Sequence, residues 1–505
     1  MTAVLGGGIS GLAAAYYALE NSRLGAITIL EASNRVGGWI RTCQSPSGAI
    51  FEKGPRTIRN SGPVTNTLKL VENLNLSDKI LPFTTNHTIS GKRYIYANNQ
   101  LVLLPSSMMD LFKIKPPFKR PLITCLWTDW KAPKVQKEDE SVHSFVSRRL
   151  GQDIADYLVS PLICGICAGD AHKISVKFLM PSVFEGEQKY GTIVKGLIKT
   201  GREEDQQIKK EGRALYEKSK KEREAKAKQN LNNNKEQIKE FDNQSVERKT
   251  MSPLVKRSKL EKWNVWTIDD GLEVIPKTLK EYLELKNVNI CLNNICENIT
   301  FQPDCVEVRA NGKAKKYSKI ISSLPANHLA TLIEQQHPQL AEELRGIPFV
   351  TVGVINIEFS GHVLPVDGFG FLVPPKENLP ILGVIFDSSI RSGLNSTVLS
   401  VMMGGVWFDH YFGQNPTEEY LTSIALEHVK RILKIEEDPL HVDASILKDC
   451  IPQHIVGHSK RIERIRHYIS TNKLPLALCG SSYHGVGIND VILSAKNAVE
   501  DFDKN

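Results

Sequence analysis

The feature that most constrains this chain is a glycine-rich turn between a short apolar strand and a helix at its N-terminus. Gly6, Gly8 and Gly11 give the pattern G-x-G-x-x-G at that position. The first glycine permits a tight turn, the second lets the backbone approach a pyrophosphate, and the third lets the helix pack on the strand. A second predicted strand ends at Glu31, whose carboxylate can accept hydrogen bonds from ribose hydroxyls. We therefore predict a βαβ unit that binds FAD or NAD rather than NADP.

The composition is that of an ordinary globular chain of about three domains. The chain has 505 residues, 41% hydrophobic and 24% charged, and a domain takes roughly 150 residues. Residues 201–262 hold 18 Lys and Arg against 12 Asp and Glu, which accounts for most of the net charge of +8. Because this segment lacks an apolar stripe, we expect an exposed, mobile insertion there, with a basic arm for an anionic membrane or a partner as the alternative. The excess of positive charge is confined to this segment, so we expect no nucleic-acid binding. Nine scattered cysteines favour a reducing compartment, and no apolar run suits a membrane span.

Two further glycine-rich segments extend the nucleotide-binding pattern. Arg35, Gly37 and Gly38 follow Glu31 in an R-x-G-G pattern. This pattern is found in flavoproteins of the amine oxidase and phytoene desaturase group, where the loop passes over the FAD pyrophosphate and ribose. Residues 478–490 form a glycine loop before a predicted helix, whose N-terminus can direct backbone N–H groups at a flavin. The sequence holds no second G-x-G-x-x-G, so we expect no separate nicotinamide-binding domain and a flavin reoxidised by oxygen or another diffusible acceptor.

These segments and others resemble the protoporphyrinogen oxidase family of the flavin amine oxidase and phytoene desaturase superfamily. The matching stretches include LGGGISGLAA (5–14), GGWIR (37–41), GAIFEKGPRTIR (48–59), GFGFLVP (368–374), VMMGG (401–405) and SSYHGVGIND (481–490). The resemblance implies an α/β fold with a Rossmann-like FAD-binding domain, a mixed-sheet substrate domain and a helical membrane-contacting domain. It also implies oxidation of protoporphyrinogen IX to protoporphyrin IX in haem biosynthesis, by hydride transfer to non-covalently bound FAD with oxygen as acceptor and hydrogen peroxide as product.

The resemblance also implies roles for individual residues. Cofactor contacts are implied at Gly6, Gly7, Gly8, Ile9, Ser10, Gly11, Glu31, Ala32, Trp39, Gly54, Pro55, Arg56, Thr57, Cys296, Ser481, Val486, Gly487 and Ile488. Substrate contacts are implied at Arg56 and Arg93 on the carboxylate side, and at Phe369, Gly370, Leu372 and Met402 around the macrocycle. Taken without the resemblance, the two arginines are better interpreted as solvated surface residues, and the apolar residues as plain core packing. No acid, base or metal ligand is assigned, because hydride loss assisted by a pyrrole nitrogen needs no strong base.

The resemblance further implies a domain order and a set of partners. FAD-binding parts are predicted at 1–88, 263–325 and 448–505, a helical membrane-contacting domain at 89–200, the insertion at 201–262 and a substrate-binding domain at 326–447. The implied partners are protoporphyrinogen IX, oxygen, a membrane surface, ferrochelatase and a second copy in a homodimer. The implied location is the mitochondrial inner membrane, peripherally bound. Residues 101–130 mix large apolar and basic side chains, which suits either a bilayer contact or a core with charged edges.

Two other functions stay open at this point. One is a related flavin oxidase or desaturase that acts on an amine or a polyene, and the substrate distinguishes it. The other is an inactive flavoprotein that serves as a scaffold for haem enzymes, and a flavin that no substrate reduces would indicate it. Cys164 and Cys167 form a C-x-x-C pattern. Without a thioredoxin-like setting or further metal ligands, we interpret them as free thiols near the substrate pocket.

Overall fold

The computed structural model describes residues 1–84, 91–199, 201, 252–391 and 395–504. Within these ranges the strands are β1 (Thr2–Leu5), β2 (Ile27–Leu30), β3 (Thr42–Gln44), β4 (Ile50–Glu52), β5 (Ile58–Arg59), β6 (Ile80–Thr84), β7 (Arg93–Ala97), β8 (Gln100–Leu103), β9 (Trp263–Ile268), β10 (Asn289–Cys291), β11 (Cys296–Phe301), β12 (Val306–Ala310), β13 (Lys313–Tyr317), β14 (Lys319–Ser322), β15 (Phe349–Ser360), β16 (Gly370–Leu372), β17 (Ile381–Phe386), β18 (Ser396–Gly405), β19 (His441–Pro452) and β20 (Leu476–Leu478).

The helices connect and cover these strands. They are α1 (Ile9–Ala18), α2 (Val64–Asn73), α3 (Cys125–Lys131), α4 (Val142–Leu150), α5 (Gln152–Ile154), α6 (Ser160–Cys167), α7 (Val176–Leu179), α8 (Pro181–Tyr190), α9 (Pro253–Leu260), α10 (Val274–Leu285), α11 (Ala326–Ile333), α12 (Pro338–Arg345), α13 (Phe408–Phe412), α14 (Glu418–Leu433), α15 (His458–Thr471), α16 (Ser481–His484) and α17 (Ile488–Lys504). A single π-helical turn over Ala155–Val159 joins α5 to α6. None of the described helices has the length and apolar character to cross a bilayer.

A five-stranded parallel sheet in the order β10-β2-β1-β14-β20 forms the nucleotide-binding part. Its central strands are fully buried, as expected when helices cover both faces of a parallel sheet. Helices α1, α10 and α17 pack in one core on the first face. The small antiparallel sheet β11-β12-β13 and helices α11 and α12 pack in a second core on the other. The predicted Rossmann-like unit is confirmed.

A seven-stranded mixed sheet in the order β19-β15-β18-β17-β16-β7-β8 forms the second part. Side chains alternate between its faces, and one face, including Phe371, Val401 and Met403, is buried against α14. The opposite face looks towards helix α6, where Leu372 lies over Gly165. Between the nucleotide-binding part and this sheet, the strands β5, β9 and β6 make a small antiparallel sheet.

Helices α3 to α8 form a third, helical part with its own apolar core, which includes Phe145, Ile163 and Phe184. Arg149 is fully buried there and pairs with Asp129 at 2.6 Å. Its guanidinium also donates to the backbone carbonyls of Asp129 and Gly191. These bonds compensate for burying the charge and tie α4 to the segments on either side of it.

Three predicted boundaries differ from the observed packing. Residues 93–103, placed in the helical domain at 89–200, are the hairpin β7–β8 of the seven-stranded sheet, because Arg93 to Ile95 pair with Gly370 to Leu372. Helices α11 and α12, placed in the substrate domain at 326–447, pack on the nucleotide-binding part. Most of the predicted insertion at 201–262 lies outside the described residues. Its last part, which we expected to be exposed, forms helix α9. Leu254 and Val255 of this helix are buried in the core beside α2, so that expectation is wrong there.

Candidate active site

The glycine-rich turn joins β1 to α1 as the sequence predicts. Gly6 has a φ of 96°, and a Cβ on Gly11 would lie 1.9 Å from the carbonyl oxygen of Gly6. Helix α1 begins after Gly8, which has no side chain to cap it. The first backbone N–H groups of α1 and the positive end of its dipole therefore face the space beside the turn. This arrangement fits the pyrophosphate of a dinucleotide.

Glu31 lies at the end of β2 and reaches back to the glycine turn. Its carboxylate accepts the backbone N–H of Gly7 at 2.6 Å. It also accepts the backbone N–H and the hydroxyl of Ser33, at 2.8 and 2.6 Å. Burial raises the pKa of the Cys296 thiol to about 11, and the negative charge of the Glu31 carboxylate contributes to the increase. The predicted residues Gly7, Glu31, Ala32 and Cys296 thus meet where the ribose of a dinucleotide is expected.

Arg35 holds the R-x-G-G loop over the glycine turn. Its guanidinium donates to the carbonyl oxygens of Val36, Gly38 and Ile40. A Cβ on Gly38 would lie 3.2 Å from the Cα of Gly8, so the two glycine segments approach closely enough to cradle a ligand between backbones. The loop continues to Trp39, and a Cβ on Gly54 would lie 2.0 Å from its carbonyl oxygen. This contact brings Gly54, Pro55, Arg56 and Thr57 beside the same loop.

The C-terminal loop closes the site from the other side. A Cβ on Gly480 would lie 3.4 Å from Oγ of Ser10, so this loop borders the first turn of α1. Ser481 forms the start of α16, and Val486, Gly487 and Ile488 lead into α17. The side-chain amide of Asn489 donates to the carbonyl oxygen of Arg59 at 2.8 Å. This bond joins the start of α17 to the end of β5.

Arg56 is buried, with a relative exposure of 4%, and ends a polar network between the two sheets. Its Nη1 donates to Asp387 at 3.4 Å, and Asp387 accepts the hydroxyl of Ser400. Ser400 also bonds Asn356, whose amide donates to the carbonyl of Glu52 at 3.1 Å. Nε and Nη2 of Arg56 have no partner among the described residues. Two buried, unpaired nitrogens of this one guanidinium indicate that a polar ligand completes the site.

An apolar floor continues from this network along the seven-stranded sheet. Leu372 on β16 and Met402 on β18 lie on either side of Gly383 on β17 in one row of the sheet. Gly370 has a φ of 139°, and its strand neighbour Phe369 packs on Phe83 with ring centroids 5.9 Å apart. Of the four predicted macrocycle contacts, Leu372 and Met402 border the face towards α6.

The two predicted carboxylate-binding arginines occupy different environments. Arg56 is buried against Asp387, whereas Arg93 is exposed at the start of β7. Partial burial, and then the positive charge of Arg93, lower the pKa of Arg59 at the end of β5. Sequence reasoning did not select Arg59, although it stands in the GAIFEKGPRTIR stretch.

The Cys164 and Cys167 thiols are free and buried in helix α6. Burial raises the pKa of both thiols, to about 12 for Cys167. Their sulfurs lie near the carbonyl oxygens of Gly169 and Ile163, at 3.6 and 3.4 Å. The described part of the chain contains no cluster of three or more His, Cys, Asp or Glu side chains that could hold a metal. The pair therefore packs as protonated thiols in the wall of the helical part.

The fold and the glycine turn define a flavin-dependent oxidoreductase. Residues 9–502 match the flavin containing amine oxidoreductases, and the chain belongs to that family. It is 33% identical to the protoporphyrinogen oxidase of Bos taurus over 511 residues, with 98% of this chain and 96% of the relative covered. The human protoporphyrinogen oxidase is 32% identical over 514 residues, with the same coverage. Within the larger family, the chain belongs to the protoporphyrinogen oxidases.

A solved structure supports the fold independently. A putative protoporphyrinogen oxidase from Exiguobacterium sp. 255-15 superposes with a TM-score of 0.76 at 22% identity. The match covers 100% of this chain and 98% of that chain. The mixed α/β fold is thereby confirmed. The family match and the bovine and human relatives confirm the resemblance, and the family membership establishes a flavin cofactor.

Proposed function

We propose that this protein oxidises protoporphyrinogen IX to protoporphyrin IX, a late step of haem biosynthesis, with FAD as cofactor and oxygen as acceptor. The observation that carries the proposal is the apolar floor of Leu372 and Met402, which lies beside a dinucleotide site in a chain that aligns over its length with protoporphyrinogen oxidases. A large, greasy macrocycle needs such a floor, with cations only where its two propionates lie.

The residues of the site fit FAD. The N–H groups at the start of α1 would hold its pyrophosphate, Glu31 its ribose, and the loops at Gly54–Thr57 and Val486–Ile488 its flavin. We propose that these residues hold FAD without a covalent bond. When bound, FAD supplies the acceptor for a hydride that leaves a bridging methylene of the macrocycle, and oxygen reoxidises it to give hydrogen peroxide.

The protein contributes mainly placement and exclusion of water. The floor of Leu372 and Met402, bordered by helix α6, would orient the macrocycle so that one methylene at a time lies towards the nucleotide site. The network from Arg56 through Asp387 to Ser400 and Asn356 fixes a positive charge where the two parts meet. A pyrrole nitrogen lone pair assists the departure of the hydride, and its proton then leaves to solvent, so no side chain has to act as a strong base.

The test is protoporphyrin formation in air by the purified protein, followed by porphyrin fluorescence against a no-enzyme rate. Removal of six hydrogens consumes three oxygen molecules and yields three hydrogen peroxide molecules for each porphyrin. That ratio is the expected result. Oxidation of an amine or a polyene in preference to the porphyrinogen would contradict the proposal, and so would porphyrin formation at the no-enzyme rate.

An exposed apolar surface supports the proposed membrane contact. Met108, Met109, Phe112, Ile114, Trp127 and Trp130 have relative exposures of 58% to 72%. Basic residues border them, including Lys113, Lys119 and Arg120, and Lys131 lies 4.5 Å from the ring of Trp127. Exposed aromatic and aliphatic side chains beside lysines suit a bilayer interface with anionic headgroups. We place the peripheral membrane contact at this surface.

The membrane contact is tested by co-sedimentation with phosphatidylcholine vesicles that contain anionic phospholipid. The double variant Phe112→Ser and Trp127→Ser is expected to stay in the supernatant. The control is Leu285→Ser, which removes a leucine of 82% exposure far along the chain. Equal sedimentation of all three proteins would refute this assignment. The homodimer, the ferrochelatase contact and the mitochondrial inner membrane stay predictions of the family resemblance.

A further inference from the structure

The segment 453–457 joins strand β19 to helix α15 and is bonded to the helical part. The side-chain amide of Gln453 donates to the carbonyl oxygen of Cys167, at the end of α6, at 2.9 Å. The backbone N–H of Ser175, directly before α7, donates to the carbonyl oxygen of His454 at 2.9 Å. These bonds fix the backbone of the segment on α6 and α7.

The side chain of His454 reaches from this segment to the C-terminal loop. Its Nε2 lies 2.9 Å from the carbonyl oxygen of Ser481. Because a carbonyl oxygen can only accept, Nε2 carries the proton and donates it to this bond. The ring is 5% exposed and packs against the rings of Phe178 and His458, with centroids 4.3 and 4.4 Å away. This packing restricts the direction in which Nε2 can donate.

Three hydrogen bonds hold the start of the C-terminal loop, each from a different part of the molecule. The backbone N–H of Gly480 donates to the hydroxyl of Ser494 on α17 at 3.1 Å. The hydroxyl of Ser482 accepts the backbone N–H of Ala326, at the start of α11, at 3.2 Å. His454 makes the third bond, and of these three it is the one that ties the loop to the helical part.

The bond from His454 sets the orientation of a peptide group beside the nucleotide site. A Cβ on Gly480 would lie 3.4 Å from Oγ of Ser10, so this part of the loop borders the first turn of α1. A trans peptide is planar, and the N–H of Ser482 therefore points opposite to the carbonyl of Ser481. Fixing that carbonyl on His454 fixes the N–H on the other face of the loop. Backbone N–H groups held in place in this way stabilise negative charge that develops during a reaction.

We propose that His454 is a positioning residue for the flavin, which holds the C-terminal loop where its backbone N–H groups stabilise the negative charge of the reduced flavin. The inference rests on the proposed function, since that function places FAD beside this loop. His454 acts through Ser481 and through no contact with the reacting atoms of its own. Because the same segment is bonded to α6, the loop also keeps its place relative to the helix that borders the apolar floor.

The test compares His454→Gln with His454→Met in the holoenzyme. The two side chains have the same length, but only the glutamine can donate to Ser481. We measure the midpoint potential of the flavin against a reference dye, and the limiting rate of flavin reduction by protoporphyrinogen without oxygen. In His454→Met, the potential should fall and the limiting rate should fall about tenfold, the effect of one lost buried hydrogen bond. The half-saturating concentration of the substrate should not change, and His454→Gln should restore most of the potential and the rate.

The control is His428→Met, which removes another buried histidine, bonded to Arg431 within α14, and should keep the wild-type potential and rate. Loss of flavin from His454→Met but not from His454→Gln would support the inference. Equal behaviour of these two variants would overturn it, whether both match the wild type or both lose the flavin, because the donor would then make no difference. Wild-type flavin that protoporphyrinogen does not reduce would refute the proposed function, whereas the midpoint potentials would still test the role of His454.

Discussion

Buried histidines behind the C-terminal loop should make the protein sensitive to acid. The rings of His454 and His458 lie 4.4 Å apart, and Phe178 contacts both. Nε2 of His454 lies 2.9 Å from the carbonyl oxygen of Ser481, at the start of α16. Burial lowers the pKa of His454 and His484 to about 4 and that of His458 to about 2. The folded protein therefore keeps these rings neutral.

The direction and size of the effect follow from the unfolded state. An unfolded histidine has a pKa near 6.5, so it binds a proton as the pH falls below that value, whereas the folded ring does not. The stability that depends on these neutral histidines is fully present above about pH 6.5 and is lost as the pH falls towards their folded pKa. At pH 5, each histidine that is held neutral lowers the free energy of unfolding by about 2 kcal/mol. A ring whose folded pKa lies well below 5 stays neutral at pH 5. The size of the loss is therefore set by the pKa of the unfolded histidine.

The variant His458→Phe keeps an aromatic ring beside Phe178 and removes one titrating group. We expect its unfolding temperature to fall about 2 °C less than that of the wild type between pH 8 and pH 5, from an unfolding entropy of roughly 2 cal/mol/K per residue. The readout is the change with pH, so a constant packing cost does not affect it. His362→Gln, at an exposed position, is the control. An unchanged pH dependence in His458→Phe would refute the reasoning.

Three further changes test the site. Gly11→Ala places a Cβ 1.9 Å from the Gly6 carbonyl oxygen and should abolish flavin retention, read as flavin absorbance per purified chain. Gly91→Ala, whose Cβ would lie 3.5 Å from Cβ of Ser106, should retain the flavin. Glu31→Gln turns an amide towards the N–H groups of Gly7 and Ser33 and should weaken FAD binding about tenfold in titrations of the apoprotein. Asp387→Asn leaves Arg56 buried without its counter-charge and should lower stability by about 3 kcal/mol, or about 3 °C in the unfolding temperature. Retained flavin in Gly11→Ala would contradict the first prediction. An unchanged FAD affinity in Glu31→Gln would contradict the second, and an unchanged unfolding temperature in Asp387→Asn would contradict the third.

Local patterns in the sequence predict the regular elements well. The sequence predicts a helix over Glu418–Leu433, and α14 has these bounds. The structure adds its cap, because the hydroxyl of Thr417 accepts the N–H of Tyr420. Asn98 and Asn99 interrupt an apolar run, and both have a positive φ in the turn of the β7–β8 hairpin. Strand β19 was missed, because it is a half-buried edge strand whose polar residues do not alternate cleanly.

The site is predictable only where one segment carries it. The glycine turn and Glu31 lie within one βαβ unit, so their spacing reveals them. Asp387, by contrast, lies 331 residues from Arg56 and meets it only because two separate sheets pack together.

The central claim is that this chain transfers reducing equivalents from protoporphyrinogen to a bound flavin. The most direct measurement mixes the purified holoenzyme with protoporphyrinogen without oxygen and follows flavin absorbance, then admits air and follows porphyrin fluorescence. The account predicts rapid bleaching of the flavin, followed by porphyrin formation well above the no-enzyme rate. Flavin that stays oxidised after mixing would contradict it.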